Sequence, residues 1–186
     1  LKMIKHKNSF FSQPQFSPDS KNLTYISDKN EVSSLWLHNL KDQKSKLLSS
    51  GKFEVGHPDW VSGITSYNWL TTNSLYYLQQ KKGATELIKT TTTPASKNKI
   101  HLKASSIDTI TTKNHKTCCL TSSTNRPEEL LLLNNKSKTC DIITTSQIGV
   151  IKKNSLTKGK FYCHSKRKDL NGIIFVPQIF NKKPLP

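Results

Sequence analysis

Three observations on this 186-residue chain point to a mainly β fold. Short runs of alternating apolar residues are separated by polar turns along most of its length, the texture of strands rather than helices. One such pattern recurs twice. From residue 161 the texture changes to a strand, a turn and a second strand of more continuous apolar character. The recurrence spacings, 52 and then 42 residues, lie near the roughly 40 to 50 residues of a four-stranded propeller blade. The prediction is a partial β-propeller of about three four-stranded blades, followed by a separate β-hairpin.

Residues 1–12 form a basic lead-in, and the first repeat covers residues 13–50. Its pattern is clearest in QPQFSPDSKNLTYISDKNEVSSLWLHNL, Gln13 to Leu40. Phe16 precedes a Ser17-Pro18-Asp19-Ser20 turn, where proline presets φ and the Ser and Asp side chains can bond their own backbone. Leu23, Tyr25 and Ser27 then alternate with Thr24 and Ile26, which predicts a strand buried mainly on one face. A polar break at Asp28-Lys29-Asn30 leads to a further β-prone run at Leu35-Trp36-Leu37, closed by Asn39 and the charged turn Lys41 to Lys44. Such a unit cannot bury its apolar face alone and must stack on copies of itself.

The copies follow in order. Leu23-Thr24-Tyr25-Ile26 matches Leu75-Tyr76-Tyr77-Leu78, and Ser34-Leu35-Trp36 then falls near Glu86-Leu87-Ile88. Phe16 to Ser27 matches Ile110 to Thr121, with Glu129 to Leu133 in the place of the Leu35 strand. Blades are therefore set at about 13–50, 51–99 and 100–150 within a propeller portion of residues 13–160. Residues 51–68 read as a loop or outer strand with Gly51, Gly56 and Gly63 as turn points. Thr90 to Lys99, TTTTPASKNK, reads as a polar connecting loop. Trp36, Trp60, Tyr67 and Trp69 are expected to pack between blades. The last segment, 161–186, has a strand at Phe161 to Ser165, a turn at Lys166 to Asp169 and an apolar run Ile173 to Val176 ended by Pro177. Its end is extended, because residues before proline avoid the helical region.

Composition narrows the function classes. The formal net charge is +17, which invites nucleic-acid binding through counterion release. Against that, Arg126 and Arg167 are the two arginines among 29 basic residues, and the lysines are spread along the chain with no stripe of stacking aromatics. A solvated surface is the reading, with no nucleic-acid partner. Cys118, Cys119, Cys140 and Cys163 form no C-x-x-C pair, so they are expected to be small buried hydrophobes rather than metal ligands, with Cys118 and Cys119 pointing to opposite faces of a strand. No cofactor is expected. No apolar run approaches the roughly 20 residues of a membrane span and no signal peptide is recognisable, so the expectation is a cytoplasmic protein without a membrane partner. Three blades leave open edges, since a closed propeller has at least about four.

Four segments resemble the prolyl oligopeptidase family of serine peptidases, most closely its acylaminoacyl-peptidase and dipeptidyl-aminopeptidase branch with TolB-like blades. They are SPDSKNLTYISD at Ser17 to Asp28, EVGHPDWVSGITSYNWL at Glu54 to Leu70, NRPEELLLL at Asn125 to Leu133 and FYCHSKRKDLNGIIFVP at Phe161 to Pro177. The last is similar to the crossing from propeller to catalytic domain, with Gly172, Phe175 and Pro177 where that pattern has its glycine, aromatic and proline. Lys168-Asp169 stands in place of the usual Asp-Gly turn.

The resemblance implies that residues 161–186 are the opening β-hairpin of an α/β-hydrolase domain, and that the chain is a peptidase fragment truncated at both ends. The intact parent would hydrolyse short peptides or acylated amino-terminal residues, with the propeller excluding large substrates. The family's nucleophile sits on a G-x-S-x-G elbow. No such elbow occurs here; Ser62-Gly63 lacks the glycine two positions before the serine. No catalytic residue is therefore assigned, and the chain alone is expected to be silent, with a complementing hydrolase-domain polypeptide as a possible partner. Arg126, Glu128 and Glu129 are the candidate substrate-gating residues, because Arg can fork a carboxylate and Glu can take an amine. The competing reading of that stretch is a solvated turn between two strands of one blade. His57 and His101 receive no role. The alternative function, from a different class, is a non-enzymatic propeller-like module that binds a protein partner through exposed blade edges.

Overall fold

The computed structural model describes residues 4, 8–58, 60, 62–146, 157, 159–165 and 171–175. All their regular structure is β. The first sheet comprises β1 (Phe11–Phe16), β2 (Asn22–Ser27), β3 (Ser34–Asn39) and β4 (Lys44–Leu47). The second comprises β5 (Tyr67–Thr71), β6 (Ser74–Lys81), β7 (Ala84–Thr92) and β8 (Ala95–Ile100), and the third β9 (Ser106–Lys113), β10 (Lys116–Ser123), β11 (Arg126–Asn134) and β12 (Cys140–Thr145). Each is an antiparallel meander with its strands in chain order. A two-stranded hairpin, β13 (Lys160–Cys163) with β14 (Asn171–Ile174), completes the described chain.

Local chemistry sets the turns. Ser17 accepts a hydrogen bond from the Asn22 amide at 3.0 Å and donates to the Asp19 carboxylate at 2.7 Å, so the turn between β1 and β2 is closed by its own side chains. Two tight hairpins, Lys82-Gly83 and Asn114-His115, have φ > 0 at both central residues. That is the type I′ pattern, whose twist matches that of the flanking strands.

The sheets stack face to face, and the middle one is buried on both sides. Leu75 and Tyr77 of β6 face the first sheet, in a core with Ile26, Leu35, Leu37 and Trp69. Tyr76 and Leu78 face the third, with Ile107, Ile110, Cys119, Leu131 and Leu133. The unbroken apolar run Leu75-Tyr76-Tyr77-Leu78 is thus a strand between two cores, not a helix fragment. Polar side chains tie the layers where their inner strands meet. Gln13 in β1 donates to the Ser66 hydroxyl at 3.1 Å and accepts from the Ser66 amide at 2.8 Å. The Tyr67 hydroxyl donates to the Thr24 carbonyl at 2.9 Å, and the Trp69 indole donates to the Thr24 hydroxyl at 3.1 Å. One residue earlier in the chain, the Thr65 amide donates to the Thr109 hydroxyl at 3.0 Å and its carbonyl accepts from the Ile110 amide at 3.1 Å, which fixes the third sheet.

Several expectations are corrected. Thr90 to Lys99 is not a loop: it finishes β7, turns at Thr93-Pro94 and forms most of β8. Little apolar marks β8 because it is a sheet edge with five of its six residues exposed, Ile100 at its end alone packing against the core. Strand β2 is buried on both faces rather than one, since Tyr25 packs on Phe11, with ring centroids 5.3 Å apart, and lies beside Trp36 on the face turned from the second sheet. Trp36 therefore does not pack between these sheets, whereas Tyr67 and Trp69 do. Trp60 is 84% exposed in the loop before β5. Of the cysteines, Cys119 is a buried hydrophobe, with Cys118 half-buried on the opposite face, while Cys140 and Cys163 are exposed. The Lys166 to Asp169 turn, Val176 and Pro177 lie outside the described residues.

A candidate substrate cleft

One rim of the blades meets the terminal hairpin. There the β6–β7 turn, the β8–β9 connection and the β10–β11 turn border an open cleft of about 910 Å³. Phe161 of β13 and Ile173 of β14 form its far wall. Two glycines permit the approach. A side chain on Gly159 would place Cβ 2.5 Å from Ile173 and 3.0 Å from Phe175, closer than atoms pack, and Gly83 in its type I′ turn lies under Ile173. The Gly159 amide donates to the Thr124 hydroxyl at 3.0 Å, holding the segment before the hairpin to the third sheet.

The floor is made of small residues, among them Ala84, Ala104, Ser105 and Ser122. It also joins two blades, because the Thr85 amide donates to the Ser105 carbonyl at 2.9 Å and the Ser105 amide to the Ser122 carbonyl at 3.1 Å. His57 arrives from the loop between the first two sheets. Its Nε2 donates to the Ile107 carbonyl at 2.9 Å, and Gln80 Nε2 lies 3.4 Å from its Nδ1. The ring is thus held as a strut between blades.

Arg126, at the start of β11, lines the cleft, and its guanidinium meets the Glu129 carboxylate at 3.1 Å. It also points toward the Ser123 hydroxyl at 3.4 Å. Arg126 and Glu129 are therefore engaged with each other along one strand, not a solvated turn, and Glu129 is largely buried. Glu128 is exposed on the opposite face of β11, and its carbonyl accepts from the Ser146 amide at 2.9 Å. The structure brings Arg126 and Glu129 together and leaves Glu128 apart.

The cleft is basic. Lys82, Lys103 and Arg126 line it, and no carboxylate lies among its described lining residues. Lys82 sits in the β6–β7 turn and Lys103 in the β8–β9 connection, both exposed. Sequence reasoning missed His57, Lys82 and Lys103 because no local motif marks them; three separate connections converge only when the blades stack. Of the hydroxyls on the cleft, that of Ser106 donates to the Asp108 carboxylate at 2.9 Å and that of Thr85 to the Gln80 side-chain oxygen at 3.3 Å. Among the described residues no cluster of His, Cys, Asp and Glu could hold a metal ion, and no helix is long and apolar enough to cross a membrane.

No protein-family model matches the chain, and no curated protein matches it in sequence. Solved structures do match in fold. A puromycin-hydrolysing peptidase from Mycobacterium tuberculosis superposes with a TM-score of 0.74 at 13% identity, covering 83% of this chain and 23% of that one. The prolyl endopeptidases of a study of inter-domain dynamics in catalysis give 0.63 at 8% identity, over 92% and 24% of the two chains. A putative TolB from Agrobacterium tumefaciens gives 0.56 at 14% identity, over 76% and 50%. The chain thus spans about a quarter of the length of the peptidases it matches. At these identities the likeness establishes the fold, a partial β-propeller of four-stranded antiparallel blades.

Proposed function

We propose that the chain is part of the propeller of a serine peptidase of the prolyl oligopeptidase type, and that β13–β14 opens its α/β-hydrolase sheet. The observation that carries this reading is the hairpin seated across the blade rim. Such a hairpin adds nothing to a propeller as such, but it is what links a blade assembly to a second domain. The fold likeness to two solved peptidases supports the same assignment.

In this reading the blades gate access. The intact parent hydrolyses short peptides or acylated amino-terminal residues, and the cleft is the propeller-side wall of the substrate chamber. Arg126, held by Glu129, stiffens that wall, and Glu128 faces away from it. The location is cytoplasmic. Nucleophile, base and oxyanion hole come from the hydrolase domain, as the resemblance implies, because the 186 residues contain no G-x-S-x-G elbow. A second reading, a protein-interaction module, is favoured by one feature: edge strand β12 carries no lysine and exposes Ile142 and Ile143.

The test uses an antibody raised against this chain to capture the native protein from its source cells. The peptidase reading expects captured material that reacts with a fluorophosphonate probe and cleaves aminoacyl-nitroanilides, while the purified 186-residue chain does neither. Captured material without serine-hydrolase labelling would count against it.

A further inference from the structure

We propose that the cleft binds short acidic peptides, with Lys82 and Lys103 receiving carboxylates and Phe161 and Ile173 receiving a neighbouring apolar side chain. This deepens the peptidase reading and rests on it for the link to hydrolysis; the binding itself is argued from the cleft.

Of the four cationic or titratable groups on the cleft, two are already satisfied. The Arg126 guanidinium is met by Glu129 at 3.1 Å, and His57 is held between Ile107 and Gln80. Lys82 and Lys103 enter none of the ion pairs found among the described residues. They stand on separate connections bordering one concave space, which has small residues beneath and apolar Phe161 and Ile173 beyond. A cleft lined by one sign of charge with low-dielectric walls focuses its field on an entering ligand of the opposite sign. Its volume of about 910 Å³ suits a drug-sized or short-peptide ligand. A basic peptide would meet two ammonium groups with no carboxylate on the described lining to offset them, so the cleft discriminates by repulsion as well as attraction.

General surface charge is the rival explanation, because the chain carries +17 in all. The experiment therefore compares lysines at opposite rims. Fluorescence anisotropy of the full chain, at about 150 mM salt to screen distant charges, would use a labelled hexapeptide bearing glutamates and a leucine. The same peptide with glutamines is the reference. Expected results are weaker binding of the glutamine peptide, and a loss of roughly five-fold or more for the acidic one in the Lys82→Gln, Lys103→Gln double variant. The Lys136→Gln, Lys138→Gln variant removes the same charge from the exposed β11–β12 turn at the other rim and should bind as the unaltered chain does.

Equal losses in the two double variants, equal binding of both peptides, or no binding of either would overturn the proposal. Circular dichroism melts establish that both variants are folded. Acid-selective binding alongside an antibody capture devoid of hydrolase labelling would sink the peptidase reading and leave the cleft standing; labelled capture without acid selectivity would do the reverse.

Discussion

Tyr67 shows how one side chain can fix two blades. It is buried, its ring packs in the core between the first and second sheets, and its hydroxyl donates to backbone carbonyls of Gln13 and Thr24. Tyr67→Phe keeps the packing and leaves those carbonyls short of a donor, so it should cost about 1–2 kcal/mol in urea unfolding. No change in the midpoint would mean that the hydroxyl contributes nothing to blade registry. Tyr76 and Tyr77 carry a pH signature. Burial pushes each hydroxyl up from the ordinary value of 10.0 to about 12, with Cys119 adding to the rise for Tyr76 and Glu86 for Tyr77. In the unfolded chain these phenols ionise near pH 10, so the stability they contribute is full below that value and is lost as pH rises through about 12. Urea midpoints should therefore fall between about pH 9 and about pH 11.5. Tyr77→Phe should fall less over the same interval, and an identical fall in both proteins would refute the assignment.

The strands divide into those the sequence announces and those it conceals. Second and third strands were readable because both sides of the middle sheet are covered, giving Leu75-Tyr76-Tyr77-Leu78 and Leu87-Ile88 their apolar runs. The fourth strands were not, because β4, β8 and β12 are edges. They gain backbone pairing with little burial, so β4 is Lys-Ser-Lys and β8 mostly Ser, Lys and Asn before each ends on one half-buried aliphatic residue, Leu47 or Ile100. The cleft was hidden for a related reason. Lys82 and Lys103 lie on connections with no pattern of their own, and stacking alone makes them neighbours of one space. Edge composition also has a consequence for association. Lysines guard β4 and β8, whereas β12 exposes Ile142 at 57% and Ile143 at 54% with no lysine beside them. Open, apolar edges template pairing with other chains. Ile142→Lys should lower the concentration-dependent mass seen in light scattering while changing the unfolding free energy by no more than about 0.5 kcal/mol. Unchanged association would place the sticky surface elsewhere.

At the scale of the whole molecule, three stacked meanders carry a hairpin across their rim. The outer face of the third sheet keeps Cys118, Leu120, Leu130 and Leu132 only half-buried. The hairpin likewise exposes Phe161, Tyr162, Ile173, Ile174 and Phe175. In the proposed peptidase reading, these apolar surfaces are where further blades and the hydrolase domain pack. The most direct test of that claim is to sequence the transcript through and beyond the codon for Pro186, and upstream of Leu1. The account predicts further blade repeats ahead of this segment and, after it, a frame encoding G-x-S-x-G followed in order by Asp and His. A transcript with no such frame would contradict the peptidase assignment and leave the blades as a binding module.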